Sequence, residues 1–268
     1  MGNILDQIVA DKRAEVARAK VARPLDEIMR SAEAVPAPRD FFAAITAPPP
    51  AGIHLIAEIK RKSPSAGLIR PDFDPIAIAR TYTSAGASAI SVLTDEKYFD
   101  GRLAYLTQVR DTVPLPVLRK DFIVDAYQVW EARAAGADAV LLIAEVLGGA
   151  GIRELWPVID QLGMSALVEA YQPTLLAETL QALGAPLPAG VLIGINNRDL
   201  TVQRTDLATT ERLAPTIPDR KRLVTESGIH TRADVVRVQA AGAQAMLVGE
   251  SIMKSDDITA RIAELLGR

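Results

Sequence analysis

Residues 134–140, AAGADAV, end one predicted helix and lead directly into a predicted strand. The same junction recurs as SAGASAI (84–90) and AAGAQAM (240–246). In each copy a glycine (Gly86, Gly136 or Gly242) follows the helical segment, where a left-handed residue commonly ends a helix. The glycines are spaced by about two and about four units of roughly 25 residues, which predicts a repeated strand–helix unit.

Outward from these junctions, short apolar segments alternate with longer segments of helical periodicity. This alternation indicates parallel βαβ units, whose strands are buried on both faces and are therefore apolar along their length. Eight such units predict an α/β fold, a (β/α)8 TIM barrel. A doubly wound open sheet is the alternative, but the G-x-G-x-x-G turn that it needs after the first strand is missing. The predicted strands are HLIAEIK (54–60), AISVLTD (89–95), PVLRKD (116–121), AVLLIAE (139–145), SALVEA (165–170), VLIGINN (191–197), RLVTES (222–227) and AMLVGE (245–250).

The first 47 residues differ from the repeated units. Apolar residues recur at helical spacing in residues 2–20, and PLDEIMRSA (24–32) predicts a second helix that begins at Pro24. The Pro-rich segment APPPAG (47–52) ends this region. We therefore expect a single domain over residues 1–268, with residues 1–47 as a helical extension. The amphipathic extension has to bury one face at the barrel mouth, at the barrel bottom or in a dimer contact.

Composition excludes several classes of function. The chain has 268 residues, a net charge of -3, no cysteine and two histidines. This small negative charge does not indicate a surface that binds nucleic acid. No apolar run reaches the roughly 18 residues of a membrane span. Without cysteine there is no thiolate nucleophile or thiolate metal ligand, and two histidines are too few for a histidine cage. We expect a cytoplasmic protein without metal or cofactor, and without nucleic-acid or membrane partners.

Polar side chains end several of the predicted strands. In a barrel, catalytic residues cluster at the carboxyl ends of the strands. Alternation places Lys120 in line with Leu118, and Glu169 in line with Leu167, so both should point into the barrel. One explanation is that such charges only reach solvent at the rim, but burial of several unpaired charges is costly and favours a polar site. The strand-end residues are Glu58, Lys60, Lys120, Glu169, Asn196, Glu226 and Ser227.

Two glycine-containing loops predict a phosphate site. ESGI (226–229) follows the seventh strand, and VGES (248–251) follows the eighth. Glycine lets backbone N–H groups approach an anion, and barrels frequently bind phosphate at this pair of loops. Three other polar residues are interpreted as structural: His54 at the start of the first strand, His230 before the predicted helix N-cap Thr231, and Asp121 in an ion pair or turn cap.

The order of these motifs resembles the indole-3-glycerol phosphate synthase family. The resemblance runs through ILDQIVADKRAEV, AEIKRKSPSAG, SVLTDEKYFDG, VLRKDFIVD, LVEA, IGINNRDL, TESGI and LVGESIM. It implies a carboxy-lyase of tryptophan biosynthesis, in its monofunctional form. The reaction implied is ring closure of 1-(o-carboxyphenylamino)-1-deoxyribulose 5-phosphate to indole-3-glycerol phosphate, with loss of carbon dioxide and water.

The resemblance also implies roles for individual residues. The catalytic set is Glu58, Lys60, Lys120, Glu169, Asn196 and Ser227. Residues implied to bind the substrate are Ser63, Pro64, Phe99, Phe122, Arg198, Leu200, Gly228, Gly249 and Glu250. Pro64, Phe99, Phe122 and Leu200 match the apolar wall, and Arg198 lies near the sugar chain. Since some relatives have serine at the position of Glu250, and a carboxylate repels phosphate, we expect that side chain to turn away.

The chemistry assigns Lys120 as the general acid that protonates the substrate ketone. We expect nearby Lys60 to lower the pKa of Lys120 and Glu58 to oppose that shift. Lys60, Glu58 and Glu169 stay open as the residues that act in the dehydration step. The family extension packs over the barrel mouth, and the RKSPSAGLIRPDF segment (61–73) has the length and composition of an active-site lid.

Two other functions are weighed. A sugar-phosphate isomerase barrel, such as phosphoribosylanthranilate isomerase, usually needs a thiol or carboxylate base, and two strand-end lysines fit ring closure better. A non-catalytic barrel that binds a phosphorylated metabolite would need the glycine loops but not Glu58, Lys60, Lys120 and Glu169 together. The expected partner is a small sugar-phosphate substrate, and the expected state is a monomer or weak homo-oligomer.

Overall fold

Eight parallel strands close into a barrel. The computed structural model describes residues 4–199 and 204–268. Each barrel strand pairs with its neighbours along the chain, and the first strand closes the barrel by pairing with the last. The predicted TIM barrel is confirmed, and the open-sheet alternative is wrong. The strands are β1 His54–Ile59, β2 Ala89–Leu93, β3 Val117–Lys120, β4 Ala139–Ile143, β5 Ser165–Ala170, β6 Val191–Asn196, β7 Leu223–Glu226 and β8 Ala245–Val248.

Helices precede the barrel and connect its strands. The first three form the N-terminal extension: α1 Ile4–Ala22, α2 Leu25–Ala34 and α3 Phe41–Thr46. The others are α4 Pro75–Ser84, α5 Glu96–Phe99, α6 Leu103–Thr112, α7 Ala126–Ala134, α8 Ala144–Gln161, α9 Pro173–Leu183, α10 Ala208–Leu213, α11 Arg232–Ala240, α12 Glu250–Met253 and α13 Ile258–Leu266. Short antiparallel ladders join Lys62–Ser63 to Gly67–Leu68, and Arg198–Asp199 to Arg204–Thr205. None of the helices in the described ranges is long and apolar enough to cross a membrane.

The repeated junctions have the predicted backbone conformation. The φ angles are 94° at Gly86, 90° at Gly136 and 98° at Gly242, all in the left-handed region. Each glycine follows the helix C-cap residue by one position, after α4, α7 and α11 respectively. The chain can therefore leave each helix and enter the next strand within a few residues, which sets the compact repeat.

Strand side chains alternate between two apolar clusters. Outward residues such as Val117 and Val168 pack beneath the helices. Inward residues form an inner cluster, which fills the barrel and includes Ile56, Leu118, Leu167, Leu192, Val224 and Leu247. Because side chains alternate with period two, the residues that follow the inner cluster along each strand face the barrel mouth. These positions include Glu58, Lys120 and Glu169, as predicted.

The extension covers both ends of the barrel. Leu5 and Ile8 of α1 belong to the inner cluster and line the cavity at the mouth. Phe41 and Ile45 of α3 belong to the same cluster and are fully buried. The Ala47 carbonyl, just after α3, accepts a hydrogen bond from the Gln244 side chain and contacts His54 Nε2, both at the starts of barrel strands. The mouth and the bottom were alternatives in the sequence analysis, and the structure uses both.

Candidate active site

A cavity that is open to solvent lies at the carboxyl ends of the strands. Of the residues predicted from the sequence, Pro64 is exposed on the loop after β1 and lies outside this cavity, and Leu200 lies outside the described residues. The remaining predicted residues all line it: Glu58, Lys60, Ser63, Phe99, Lys120, Phe122, Glu169, Asn196, Arg198, Ser227, Gly228, Gly249 and Glu250. Barrel closure therefore brings residues from six strand ends into one cavity.

Lys120 is held between carboxylates from two other strands. Its Nζ lies 2.7 Å from Glu169 Oε2 and 3.0 Å from Glu226 Oε2. Burial lowers the pKa of Lys120, but the Glu169, Glu226 and Glu58 carboxylates outweigh this effect, and the net pKa lies well above its ordinary value. The expected net lowering of this pKa is wrong, because two carboxylates contact Lys120 directly, whereas Glu58 opposes the lowering as expected. Lys120 is therefore a charged hydrogen-bond donor in the absence of substrate.

Glu226 is the functional candidate to which the sequence analysis assigned no role. It is 1% exposed, and burial together with the neighbouring Glu169 raises its pKa. For Glu169, burial raises the pKa, but Lys120 lowers it further, so the net shift is downward. The pair thus consists of an ionised Glu169 and a protonated Glu226 around one ammonium. The signal that could have found Glu226 is its alternation with Val224, an inner-cluster residue two positions earlier.

A second ion pair lies at the end of β1. Lys60 Nζ is 2.6 Å from Glu58 Oε1, although the two residues sit two apart in the sequence. The Glu58 carboxylate packs against β8, where a Cβ at Gly249 would lie only 2.4 Å from Glu58 Oε1. Gly194 on β6 makes similar room, since a Cβ there would lie 2.4 Å from Glu226 Oε1. Glycine at these two inward positions is what lets the carboxylates lie against the barrel wall.

Asn196 orients Glu169 and connects it to the next segment. Its Nδ2 donates to Glu169 Oε1 at 2.9 Å, and its Oδ1 accepts from the Arg198 backbone N–H at 2.9 Å. The carboxamide is thus fixed on both sides. The other oxygen of Glu169, Oε2, accepts a hydrogen bond from Lys120. The position of the ammonium therefore depends on residues of β3, β5 and β6.

The predicted phosphate end lies at the loops after β7 and β8, whereas the aromatic residues described below follow β2 and β3. Ser227 and Gly228 both have positive φ angles, 67° and 78°. Arg198 Nη1 donates to Ser65 Oγ at 2.7 Å, and its Nη2 lies 3.4 Å from Glu250 Oε2. Glu250 Oε1 lies 2.7 Å from Lys254 Nζ. The Glu250 carboxylate lies between Arg198 and Lys254, and the expectation that this side chain turns away from phosphate stays a prediction.

An apolar wall forms another side of the cavity. The rings of Phe99 and Phe122 lie 6.1 Å apart between centroids, in a tilted arrangement. The α1 helix adds Ile4, Leu5 and Ile8. The spacing of these residues predicted an amphipathic helix, and the family resemblance implied that the extension packs over the barrel mouth. The wall can hold the face of an aromatic ring away from water.

The residues interpreted as structural lie mostly as expected. Asp121 is buried and forms ion pairs with Arg119 and Lys12, each at 3.0 Å. His54 contacts Ser88 Oγ through Nδ1 at 2.8 Å. Thr231 is the N-cap of α11 in a capping box, and His230 before it lies at the cavity edge. Within residues 4–199 and 204–268, His, Asp and Glu side chains form no group that could hold a metal ion. The expected absence of a cofactor stays a prediction.

A closed parallel barrel with paired ammonium and carboxylate groups at its carboxyl ends defines a (β/α)8-barrel enzyme. The family model described as indole-3-glycerol phosphate synthase matches residues 5–265. The chain belongs to the indole-3-glycerol phosphate synthase family.

Curated relatives cover almost the whole chain. A protein named indole-3-glycerol phosphate synthase from Rhodopirellula baltica is 49% identical over 98% of this chain and 98% of its own length. One of the same name from Rhodospirillum rubrum is 47% identical over the full length of both chains. Among solved structures, 3-hexulose-6-phosphate synthase superposes with a TM-score of 0.60 at 19% identity, covering 80% of this chain and 99% of its own. At this identity the likeness shows the fold alone.

Proposed function

We propose that the protein is a carboxy-lyase of tryptophan biosynthesis that converts 1-(o-carboxyphenylamino)-1-deoxyribulose 5-phosphate into indole-3-glycerol phosphate. The observation that carries this proposal is the Lys120 ammonium held by Glu169 and Glu226 beside an apolar wall. Family membership supports ring closure over the isomerase alternative. A sensor that only binds a phosphorylated metabolite has no need for such a charge arrangement.

The cavity suits one orientation of this substrate. The aromatic ring lies against Phe99, Phe122 and the apolar residues of α1. The phosphate lies near Gly228 and Gly249, where backbone N–H groups can approach it. Bound phosphate repels the Glu250 carboxylate and competes with it for Arg198, so Glu250 leaves Arg198 and keeps its contact with Lys254. Ser63 and Leu200 complete the proposed contacts, and Pro64 joins them when the loop after β1 closes.

The first step is formation of the carbon–carbon bond. The ring carbon that bears the carboxylate attacks the substrate ketone, and Lys120 Nζ transfers a proton to the ketone oxygen. The raised pKa keeps Lys120 protonated before the reaction, and the negative charge that develops on the ketone oxygen then draws the proton from the ammonium. Glu169 stabilises the ammonium before transfer and is oriented by Asn196.

The second step is loss of carbon dioxide. The bond between the ring and its carboxylate breaks, and its electron pair restores the aromatic ring. A negative charge disappears from the substrate, which an apolar wall favours over water. The wall of Phe99, Phe122 and α1 supplies this environment.

The third step is loss of water. The hydroxyl formed from the ketone leaves with a proton from the enzyme, and a proton is lost from the new ring. Lys60, Glu58 and Glu169 are the candidates, and we add Glu226 because it is buried and protonated beside Lys120. Asn196 and Ser227 hold substrate hydroxyls and the neighbouring carboxylate and transfer no proton.

The remaining proposals concern the surroundings of the enzyme. We propose that it acts in the cytoplasm as a monomer or weak homo-oligomer. Its partner is then the phosphorylated substrate alone, with no cofactor, nucleic acid or membrane. The small net charge of -3 and the absence of cysteine support this proposal.

A direct assay tests the proposed reaction. Purified protein with a chelator is mixed with the carboxyphenylamino-deoxyribulose phosphate, and indole fluorescence is followed. We expect turnover, and we expect Lys120→Met to lower kcat by about 10²–10⁴-fold because it removes the general acid. Lys221→Met, at an exposed position before β7, is the matched control and should keep wild-type kcat. Substrate binding without any product would instead support the non-catalytic sensor.

A further inference from the structure

A lysine of the extension is buried between α1 and the segments that follow β2 and β3. Lys12 of α1 is 1% exposed, and its Nζ lies 2.9 Å from Asp95 Oδ2 and 3.0 Å from Asp121 Oδ1. Glu15 Oε2, one turn further along α1, lies 3.0 Å away. Burial lowers the pKa of Lys12, but Asp121, Asp95 and Glu15 raise it further, so the ammonium stays charged. A buried ammonium is tolerated only when fully paired, so this one forms a strong link between α1 and the barrel.

The two aspartates belong to the segments that carry the aromatic wall. Asp95 follows β2 and caps α5 by accepting from the Tyr98 backbone N–H at 2.8 Å, and α5 ends at Phe99. Asp121 follows β3 and accepts from the Phe122 backbone N–H at 2.8 Å. Each carboxylate thus fixes the backbone of a segment that presents an aromatic ring to the cavity.

The third component of the wall is α1 itself. Ile8 lies four residues before Lys12, and Leu5 lies three residues before Ile8, so the three side chains share one helix face. Leu5 and Ile8 line the cavity, whereas Lys12 lies outside its lining. The Lys12 ammonium of α1 therefore contacts both the segment that begins α5 and the segment after β3.

We propose that Lys12 is a positioning residue, which holds α1, Phe99 and Phe122 together and thereby aligns the aromatic ring of the substrate with Lys120. This inference rests on the proposed function. Lys12 touches neither the substrate nor the reacting atoms. Its carboxylate partners are Glu15, Asp95 and Asp121, and none of them belongs to the loops after β7 and β8 that form the proposed phosphate end. Loss of Lys12 should therefore disturb the ring subsite and spare the phosphate subsite.

The test compares Lys12→Met with Lys20→Met. Lys20 lies on the same helix and forms a more exposed ion pair with Asp125. We expect Lys12→Met to lower kcat/KM on the order of 10²-fold, through a misplaced substrate ring. Lys20→Met should stay within about twofold of wild type, because exposed ion pairs contribute little. Two fragments separate the subsites: anthranilate binding should weaken about tenfold in Lys12→Met, and inorganic phosphate binding should stay within about twofold.

A milder variant keeps the proposal testable if Lys12→Met does not fold. Asp95→Asn keeps a side-chain acceptor for the Tyr98 N–H and leaves the Lys12–Asp121 pair intact. We expect this variant to fold and to show a several-fold weaker anthranilate affinity. Equal weakening of anthranilate and phosphate in Lys12→Met would mean a general structural role and overturn the proposal. So would wild-type anthranilate affinity in Asp95→Asn.

Wild-type turnover is measured first, which separates this inference from the proposed function. A wild type that forms no indole product refutes the proposed function and, with it, the role of Lys12 in aligning the substrate. An active wild type together with an unchanged Lys12→Met refutes the role of Lys12 alone.

Discussion

Lys120 lies within hydrogen-bond distance of both Glu169 and Glu226, but the two carboxyl groups differ in protonation. The ammonium is closest to Glu169, at 2.7 Å, and this contact keeps Glu169 ionised. Glu226 Oε1 is buried with no hydrogen-bond partner among residues 4–199 and 204–268, and the protonated form of this carboxyl is favoured. The site therefore holds a charged donor, a carboxylate and a neutral acid within one small volume. That combination suits a reaction with separate proton transfers.

Glu145 is another carboxyl whose pKa is raised, and it is half-buried and supports the segment after β5. It accepts hydrogen bonds from the backbone N–H groups of Tyr171 at 2.9 Å and Gln172 at 3.0 Å. Burial raises its pKa to about 7, although these bonds oppose the shift. Because the folded pKa lies above the unfolded value, the contribution of Glu145 to stability is present below the unfolded pKa. It is lost as the pH rises through 7.

We predict that Glu145→Gln gains stability relative to wild type as the pH rises from about 5 to about 8, by about 1–3 kcal/mol. Glutamine keeps an oxygen acceptor for both N–H groups and cannot ionise. Urea unfolding of both proteins at the two pH values measures the difference. A free-energy difference that does not change between these pH values would show that Glu145 does not titrate with a raised pKa.

At the scale of elements, the extension and the loop after β1 shape the cavity from outside the barrel. The amphipathic pattern of α1 predicted a helix with one buried face, but both ends of the barrel were available to it. The structure places α1 at the mouth and α3 at the bottom, because each end exposes apolar inner-cluster residues that need cover. Within the loop, Ser63 is buried in the cavity, whereas Pro64 and Leu68 are exposed.

We predict that the loop at residues 61–73 acts as a lid that closes when phosphate binds. Arg198 already donates to Ser65 of this loop, so a ligand at the phosphate end can order both segments. Amide hydrogen exchange of residues 62–68 should slow when inorganic phosphate is added. Exchange in α9, which follows β5 and not the phosphate loops, should not change. If protection of the loop is the same with and without phosphate, the segment is not a lid.

At the scale of the whole molecule, the extension and the barrel share their apolar clusters. Leu5, Ile8, Phe41 and Ile45 of the extension lie in the inner cluster with strand residues. Trp130 of α7 packs against the cluster formed by Val16, Ile28 and Tyr127, which joins the extension to the barrel wall. The prediction that residues 1–268 form one domain stays a prediction, and this shared packing supports it.

We predict that the extension and the barrel unfold in one cooperative transition. The two tryptophans provide local reporters. Trp130 packs against Val16 and Ile28 of the extension, whereas Trp156 packs against the apolar cluster between the strands and the outer helices. Trp156→Phe leaves Trp130 as the reporter, and Trp130→Phe leaves Trp156. In each variant the urea midpoint by fluorescence should equal the midpoint by circular dichroism. An earlier fluorescence transition in Trp156→Phe alone would show that the extension detaches before the barrel unfolds.

Much of the fold could be predicted because its evidence is local in the sequence. The junctions at Gly86, Gly136 and Gly242 indicated the repeat, and the apolar segments between them predicted eight parallel strands. Alternation of side chains placed Lys120 with Leu118, and Glu169 with Leu167, on the inner face. These features depend on the periodicity of a few consecutive residues, which the sequence displays directly.

The pairing of the charges and their protonation could not be predicted in this way. Lys120, Glu169 and Glu226 come from β3, β5 and β7, and Lys12 reaches Asp95 and Asp121 from the extension. Lys120 was expected to have its pKa lowered by Lys60, but its pKa is raised by carboxylates from distant strands. Closure of the barrel brings these groups within about 3 Å and removes water between them, and electrostatic energies depend on those distances and on burial. The periodicity of the chain is local, whereas the distances between its charges exist only in the folded molecule.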